Sequence, residues 1–235
     1  MPSDSFSHLY GADYFVRYLP NAEDHRKRRV MYRQEYSRIC QFVRSGTVLD
    51  VGCGVGDFLE CFELKNWIRY GIDISSYALE RASGKDIVTA LPASPENFFD
   101  LVVFRGTIQH LDEPVATIKR ATQWLKPGGY MVFLATPNIG GICYRLFQDL
   151  PALDPTRNFM LVSDRILSQL LRNLGMDVVA FEFPYRGTPY GKPLRDLLSF
   201  ALRCLGVRRK FAFWGNMMEC YARKPGANRE LISTT

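Results

Sequence analysis

The sequence predicts a doubly wound α/β fold, in which a mainly parallel sheet of seven strands carries helices on both faces. Two observations lead to this prediction. Short apolar strands alternate with segments of helical periodicity along most of the chain. The segment 98–104 is apolar on both faces apart from Asp100, which is typical of a strand buried inside a parallel sheet. The helices between the strands are then the crossovers that cover the sheet.

The predicted elements follow one another at regular intervals. The strands are 47–51, 68–72, 86–88, 98–104, 130–135, 176–183 and an antiparallel last strand at about 216–223. The first predicted helix is 22–44, with Tyr32, Tyr36, Ile39 and Val43 on one face, and the second carries Phe58, Leu59 and Phe62. The third is capped by Ser75 or Ser76 and ended by Gly84, and the fourth has Pro114 in its first turn. The fifth is capped by Ser163 and ended by Gly175, and the sixth is 192–205. The turn 126–129 precedes the fifth strand.

The composition is that of an ordinary globular protein. Of the 235 residues, 47% are hydrophobic and 23% are charged, which excludes disordered and fibrous classes. The six cysteines form no CxxC pair, so we expect reduced thiols and no metal site. The N-terminus lacks the basic start and apolar run of a signal peptide, and no apolar stretch is long enough to span a bilayer. We therefore expect a cytoplasmic protein.

The net charge of +6 is concentrated in clusters, at 26–29 and 208–210. Such clusters suit nucleic acid, an anionic membrane surface or a phosphorylated substrate, and the alternative for the first cluster is a solvated helix face.

The strongest local motif is the strand and glycine run Val48-Leu49-Asp50-Val51-Gly52-Cys53-Gly54-Val55-Gly56. Closely spaced glycines at the end of a strand let a ligand approach the backbone. The nicotinamide fingerprint is G-x-G-x-x-G, whereas these glycines are spaced G-x-G-x-G and Asp57 stands in the last fingerprint position. A dinucleotide is therefore disfavoured.

At this motif the chain resembles the class I S-adenosylmethionine-dependent methyltransferases, and the resemblance continues in order along the sequence. The segments that carry it are Tyr70-Gly71-Ile72-Asp73-Ile74-Ser75, Phe99-Asp100-Leu101-Val102-Val103 and Leu125-Lys126-Pro127-Gly128-Gly129. Gln109-His110-Leu111 and Thr136-Pro137-Asn138 further resemble a branch that modifies sugars, quinones and other small natural products. The resemblance is good from about 45 to 140 and weaker to 180.

The resemblance implies an S-adenosylmethionine site at the glycine loop. Asp73 would bind the ribose hydroxyls, Asp50 would orient the cofactor ammonium, and Ile74 would pack on the adenine. Arg105 would pair with the cofactor carboxylate or an anionic substrate, with a structural salt bridge as the alternative. The acid that often reads the adenine amino group in this family is missing here, so backbone groups or water would do so. The full set of predicted cofactor residues is Asp50, Gly52, Cys53, Gly54, Gly56, Asp73, Ile74, Thr89, Ala90 and Arg105.

On the acceptor side, His110 follows the fourth strand and is the candidate general base, the alternative being a structural histidine bonded to backbone. The candidate substrate-binding residues are Tyr10, Tyr14, Asn138, Tyr190 and Trp214. The marks of DNA and RNA base methyltransferases are absent, so a nucleic-acid substrate is disfavoured. The long insertion after the sixth strand is expected to form part of the acceptor pocket. Its helix 192–205 either packs its leucines on the domain, lies on an anionic membrane or forms a dimer contact.

These expectations combine into one domain over 1–235, with an N-terminal lid and helix (1–45), a cofactor-binding core (46–140) and a substrate-side part (141–235). We expect O-methylation of a small hydroxyl-bearing acceptor such as a sugar or sugar phosphate, by a monomer or homodimer. N-methylation of an amino sugar, O-methylation of a quinone-like ring and a non-catalytic cofactor-binding subunit are the alternatives.

Overall fold

A computed structural model describes residues 11, 21–150, 153, 157–209 and 211–226 of the chain. Its strands are β1 Gly46–Val51, β2 Trp67–Ile72, β3 Phe99–Arg105, β4 Leu125–Pro137, β5 Asp177–Glu182 and β6 Met217–Arg223. Its helices within that range are α1 Ala22–Ile39, α2 Ser76–Ser83, α3 Pro114–Trp124, α4 Ile142–Phe147, α5 Asp164–Asn173 and α6 Pro193–Cys204.

The strands form one sheet in the order β2-β1-β3-β4-β6-β5. Strands β1 to β4 are parallel, and β6 runs antiparallel between β4 and β5. The carboxyl ends of β1, β2, β3, β4 and β5 therefore lie at one edge of the sheet, which we call the carboxyl edge. This architecture confirms the predicted doubly wound α/β class.

Alternate strand residues point into two separate cores. On one face, Val102 of β3 packs with Ile118 of α3 and Leu167 of α5. On the other face, Val103 packs with Ile39 of α1. Because both faces are covered by helices, the central strands are apolar throughout, which is why their sequence shows a continuous run and no alternation.

The third predicted strand, 86–88, does not form as a full strand. Asp86–Val88 contributes only one parallel bridge, between Tyr70 and Val88, so the described sheet has six strands and not seven. Asp86, two residues before the bridge, has a φ of 56°, outside the extended region. A strand cannot continue through such a residue.

The helix predicted after the glycine loop does not form as an α-helix either. The segment forms a 3₁₀ turn over Leu59–Cys61 and no α-helix. Residues three apart lie on the same side of a 3₁₀ turn, so Leu59 and Phe62 both reach the core from this short connection. Helix α1 ends at Ile39, five residues before the predicted end. Strand β4 begins at Leu125, so it includes the predicted turn 126–129.

Helix α6 has nearly the predicted bounds, but its orientation contradicts packing of its leucines on the domain. Leu194, Leu197, Leu198 and Leu205 are exposed, whereas Asp196 and Ser199 are buried. The polar side of the helix faces the protein. Among the described residues, no helix combines the length and apolar character needed to cross a bilayer.

Two buried ion pairs hold α1 on the sheet. Arg38 donates from Nε and Nη2 to the carboxylate of Glu219 on β6, at 2.7 and 2.5 Å. The hydroxyl of Tyr221 donates to the same carboxylate at 2.7 Å. Three residues earlier on α1, Glu35 forms the second buried ion pair, with Arg105 at the end of β3.

We predict that Glu219→Ala lowers the free energy of unfolding by about 3–5 kcal/mol, because it leaves Arg38 partly buried without its partner. Glu63→Ala is the control, since Glu63 forms an exposed ion pair with Lys65. Its loss costs at most about 1 kcal/mol. Urea unfolding of both variants checks this, and equal losses would show that the buried pair does not hold α1.

Candidate cofactor and acceptor site

The carboxyl edge brings together most of the residues predicted to bind the cofactor. Gly52 follows β1, Asp73 follows β2 and Arg105 ends β3. His110 lies in the 3₁₀ turn Ile108–His110 that follows β3. Ligands of open parallel sheets bind at this edge, so its side chains define the candidate site.

The glycine loop has a backbone that only glycine adopts without strain. Gly52, Gly54 and Gly56 have φ values of 79°, 54° and 81°. A Cβ atom on Gly52 would lie 2.5 Å from Cγ2 of Thr107, so space as well as conformation excludes a side chain there. The amides of Gly52 and Cys53 both donate to the carbonyl of Ile72, at 2.7 and 3.1 Å. The loop is thereby folded against the end of β2.

Asp73 joins the loop to β2 through its carboxylate. One oxygen accepts from the amide of Gly54 at 2.9 Å, and the other accepts from the amide of Ser75 at 2.9 Å. Burial raises the pKa of Asp73, and the backbone donors, including Ile74, oppose that rise. These bonds hold the carboxylate at the place where the ribose hydroxyls were predicted.

Asp50 has a buried carboxylate that is incompletely satisfied. Its side chain is 2% exposed, and within the described residues its Oδ1 atom has no hydrogen-bond partner. Burial raises the pKa of Asp50 to about 7; Arg105 opposes this rise, and Asp73 and Glu35 add to it. A buried acceptor without a donor costs free energy, so this atom marks a place for a cationic donor. The cofactor ammonium fits that requirement.

Arg105 forms the structural salt bridge that the sequence left open as an alternative. Its Nε and Nη2 atoms donate to the carboxylate of Glu35 on α1, at 2.6 and 3.1 Å. The guanidinium also lies over the ring of Tyr32, at 4.4 Å from the centroid. The predicted pairing with the cofactor carboxylate stays a prediction.

Glu35 is a residue that the sequence analysis missed. It is fully buried, and burial raises the pKa of its carboxyl while Arg105 opposes that rise. Its sequence position gave a signal, because Glu35 lies three residues after Tyr32 and four before Ile39, on the predicted apolar face of the helix. A charge on a buried helical face requires a partner.

The adenine side of the site contains the remaining cofactor residues. Ile74 and Thr89 are half-buried, and Ala90 is exposed, just beyond the single bridge of Val88. The buried Cys53 donates from Sγ to the carbonyl of Gly54 at 3.3 Å, and burial raises the pKa of its thiol. Contacts of these residues with adenine remain predictions.

His110 is held by hydrogen bonds at both ring nitrogens. Nδ1 lies 2.8 Å from the carbonyl oxygen of Arg157, so it must carry the proton and donate. Nε2 lies 3.2 Å from the amide nitrogen of Gln109, which also donates to the carbonyl of Gly106 at 3.0 Å. This arrangement fixes the neutral tautomer with the Nε2 lone pair as the acceptor. The hydrogen bond to the carbonyl of Arg157 is the backbone bond expected of a structural histidine. The role of His110 as a general base stays a prediction.

Asn138 has a structural role on the acceptor side. Its side chain is buried, and Oδ1 accepts from the amides of Gly140 and Asp164, at 2.9 and 3.3 Å. Asn138 therefore organises the turn after β4 and the start of α5, because an Asx side chain readily satisfies nearby backbone amides. A contact of Asn138 with the acceptor stays a prediction.

The other predicted acceptor residues are less constrained. Tyr190 and Trp214 are exposed and lie in the insertion between β5 and β6. The insertion contacts α1, since Gln34 donates to the carbonyl of Gly187 at 2.9 Å. Tyr10 and Tyr14 lie outside the described residues. Substrate contacts of these residues stay predictions.

Residues 24–180 match a family described as "Methyltransferase domain". The chain belongs to this family. This methyltransferase domain confirms the enzyme class that the motifs predicted, with S-adenosylmethionine as its cofactor. A solved SAM-dependent methyltransferase from Archaeoglobus fulgidus has the same fold, with a TM-score of 0.60 and 22% identity over 89% of this chain and 98% of that one.

Two groups of curated relatives match shorter stretches. Phosphoethanolamine N-methyltransferase of Triticum aestivum is 32% identical, over 57% of this chain and 28% of the relative. Ubiquinone biosynthesis O-methyltransferase of Nitrosospira multiformis is 35% identical, over 39% of this chain and 43% of the relative. The methyltransferase domain thus matches less than half the length of either relative, and they differ in the atom that they methylate.

We predict that Asp73→Ala weakens S-adenosylmethionine binding by about 100-fold, because charge-assisted hydrogen bonds to the ribose and the tether to the loop are lost together. Asp57→Ala is the control. Asp57 also carries a negative charge beside the loop, but it pairs with Lys85. Calorimetric titration of both variants measures the effect. Equal weakening would mean that the charge near the loop matters and the Asp73 contact does not.

We also predict that cofactor affinity rises with pH. In the predicted site the cofactor ammonium would bind the ionised form of Asp50, whose pKa of about 7 leaves most of it protonated at pH 6 and ionised at pH 8. Affinity should therefore increase by about tenfold between these values. Asp50→Asn should bind more weakly and with no slope in this range. A variant that keeps the slope would assign the titration to another group.

Proposed function

We propose that the chain transfers the methyl group of S-adenosylmethionine to a hydroxyl of a small, anionic acceptor such as a sugar phosphate. The observation that carries the proposal is the buried Asp50 oxygen without a donor, beside a glycine loop that Asp73 holds in place. Asp50 supplies a carboxylate for a cationic group, and Asp73 supplies a carboxylate for a vicinal diol. That combination of groups is the amino-acid end and the ribose of this cofactor.

The protein's part in the reaction is alignment. The sulfonium of the cofactor makes its methyl group strongly electrophilic, so in-line placement of the acceptor supplies much of the rate enhancement. The glycine loop and Asp73 would fix the nucleoside, and Asp50 would fix the ammonium. The acceptor oxygen then has to lie beyond the end of β3, where His110 is placed.

His110 would take the proton of the acceptor hydroxyl as the new oxygen–carbon bond forms. Its Nε2 atom has the lone pair, and the bond from Nδ1 to the carbonyl of Arg157 stabilises the ring when it becomes charged. The amide of Gln109 now donates to Nε2, so it must turn aside or share that position when an acceptor binds. The walls of the acceptor pocket would come from the insertion that carries Tyr190 and Trp214.

The anionic character of the acceptor is supported by charge. The insertion and its flanks, residues 183–218, contain seven Lys or Arg residues and one acidic residue. The wheat relative is named for a phosphorylated acceptor, which supports the same chemistry. That relative also favours a second candidate, N-methylation of a phosphorylated amine. The ubiquinone relatives support hydroxyl methylation, on which we base the first choice.

The acceptor prediction is tested with methyl-labelled S-adenosylmethionine and paired acceptors. We expect turnover on a sugar phosphate and at least about tenfold lower kcat/KM on the matching free sugar, because the phosphate pairs with cationic side chains. Phosphoethanolamine and a catechol complete the panel. Preferred methylation of phosphoethanolamine would establish the second candidate. Cofactor binding with no turnover on any acceptor would favour a non-catalytic subunit.

With an active acceptor, we predict that His110→Ala lowers kcat by about 100-fold or more while the Kd for S-adenosylmethionine is unchanged, because only proton transfer is lost. The loss should be smaller with an amine acceptor that is already deprotonated. Gln109→Ala is the companion variant, since it removes the donor to Nε2 but keeps the base. An unchanged kcat in His110→Ala would assign the histidine a structural role.

A further inference from the structure

Helix α6 presents its apolar side to solvent. Leu194 and Leu205 are 87% and 80% exposed, and Leu197 and Leu198 are 59% and 60% exposed. These residues and the exposed Ala201 form one stripe along the helix, which we call the leucine face. Soluble helices bury such a stripe, so the leucine face requires a partner outside the described part of the chain.

The helix cannot simply rotate to bury its leucines. Its opposite side carries Asp196, which accepts at Oδ2 from the hydroxyl of Tyr185 at 2.8 Å and from the amide of Lys192 at 2.9 Å. Phe200 stacks on Phe213 with ring centroids 5.0 Å apart. Rotation would expose these groups and break the hydrogen bond between Asp196 and Tyr185, although the bond to Lys192 belongs to the start of the helix itself. The outward orientation is therefore a fixed property of the fold.

A second helix that contacts α6 also exposes apolar side chains. Phe147 of α4 contacts Phe200 of α6, with ring centroids 5.6 Å apart. Ile142 and Leu146, one helical turn apart on α4, are both exposed. Two neighbouring helices thus leave apolar side chains uncovered.

The leucine face lies within a strongly cationic segment. Arg195, Arg208 and Arg209 are exposed, and the single acidic residue of 183–218, Asp196, is buried on the opposite side of α6. We propose that α6 lies in the interface of an anionic bilayer, with the leucine face in the acyl boundary and the arginines at the lipid phosphates. A short amphipathic helix with apolar residues on one side and cationic residues beside them is suited to that position.

A second copy of this chain fits the surface less well. A symmetric dimer would place the same patch of both copies in contact, so the arginines beside the leucine face would meet one another. Like charges brought together in this way oppose association, whereas anionic headgroups neutralise them. The positive charge beside the leucine face therefore favours the bilayer.

The position of α6 relates docking to the candidate site. The insertion leaves the sheet at Glu182 and returns at Met217, both at the carboxyl edge. Docking would therefore occur on the part of the chain that we assign to the acceptor. Bilayer binding itself does not depend on the proposed methyl transfer, and it is measured with neither cofactor nor acceptor present.

The test is co-sedimentation with vesicles of phosphatidylcholine alone and with 30% phosphatidylglycerol, a composition of about the anionic density that attracts basic segments. We expect binding to the anionic vesicles that weakens as salt is added, and little binding to neutral ones. Leu194→Glu combined with Leu198→Glu should lower the partition coefficient by about tenfold or more, because two apolar side chains no longer insert. Arg208→Glu with Arg209→Glu should lower it to a similar extent for anionic vesicles only.

The control is Leu64→Glu combined with Ile166→Glu, which makes the same kind of change at side chains that are 57% and 52% exposed elsewhere. It should bind as the unaltered protein does, and circular dichroism checks that all variants are folded. The salt titration on the unaltered protein needs no variant. No binding to anionic vesicles overturns the proposal, as does equal loss in the control. A dimer in light scattering that Leu194→Glu and Leu198→Glu dissociate, without vesicle binding, would assign the face to a second copy.

Discussion

The ion pair between Arg105 and Glu35 is the interaction on which the arrangement of the site depends. It joins α1 to the end of β3 inside the protein, where neither charge could remain alone. Its positive member also opposes the rise in the pKa of Asp50. Helix α1 also contacts the insertion, where Gln34 donates to the carbonyl of Gly187, so one helix contacts both the end of β3 and the insertion.

The cofactor half of the site is organised before any ligand binds. The glycine loop is held by the carbonyl of Ile72 from one side and by the carboxylate of Asp73 from the other. A loop fixed in this way loses little conformational freedom on binding, so more of the interaction energy contributes to affinity. The buried Oδ1 atom of Asp50 has no donor within the described residues, so a cationic ligand group could bind there without displacing a protein hydrogen bond.

The acceptor half is built differently. We propose that it comes from the insertion, whose polar contacts, centred on Asp196, are directed inward and whose leucines are directed outward. The sheet already has both faces covered by other helices, so α6 has no further core surface to bury. An element added to a complete core can present its apolar side to a partner without weakening the fold, which makes this edge suitable for both substrate entry and docking.

The sequence by itself determined the fold class, the positions of most strands along the chain, the glycine loop and the place of Asp73 after the second strand. Periodicity, turn chemistry and strand ends are local properties, so they can be read from the sequence. Only the tertiary structure decided that Arg105 pairs with Glu35, that Asn138 organises a turn, and that the leucines of α6 face outward. Each of these outcomes depends on which distant side chain lies opposite. Helical periodicity shows that a helix has an apolar face, but the surrounding protein decides whether that face is covered.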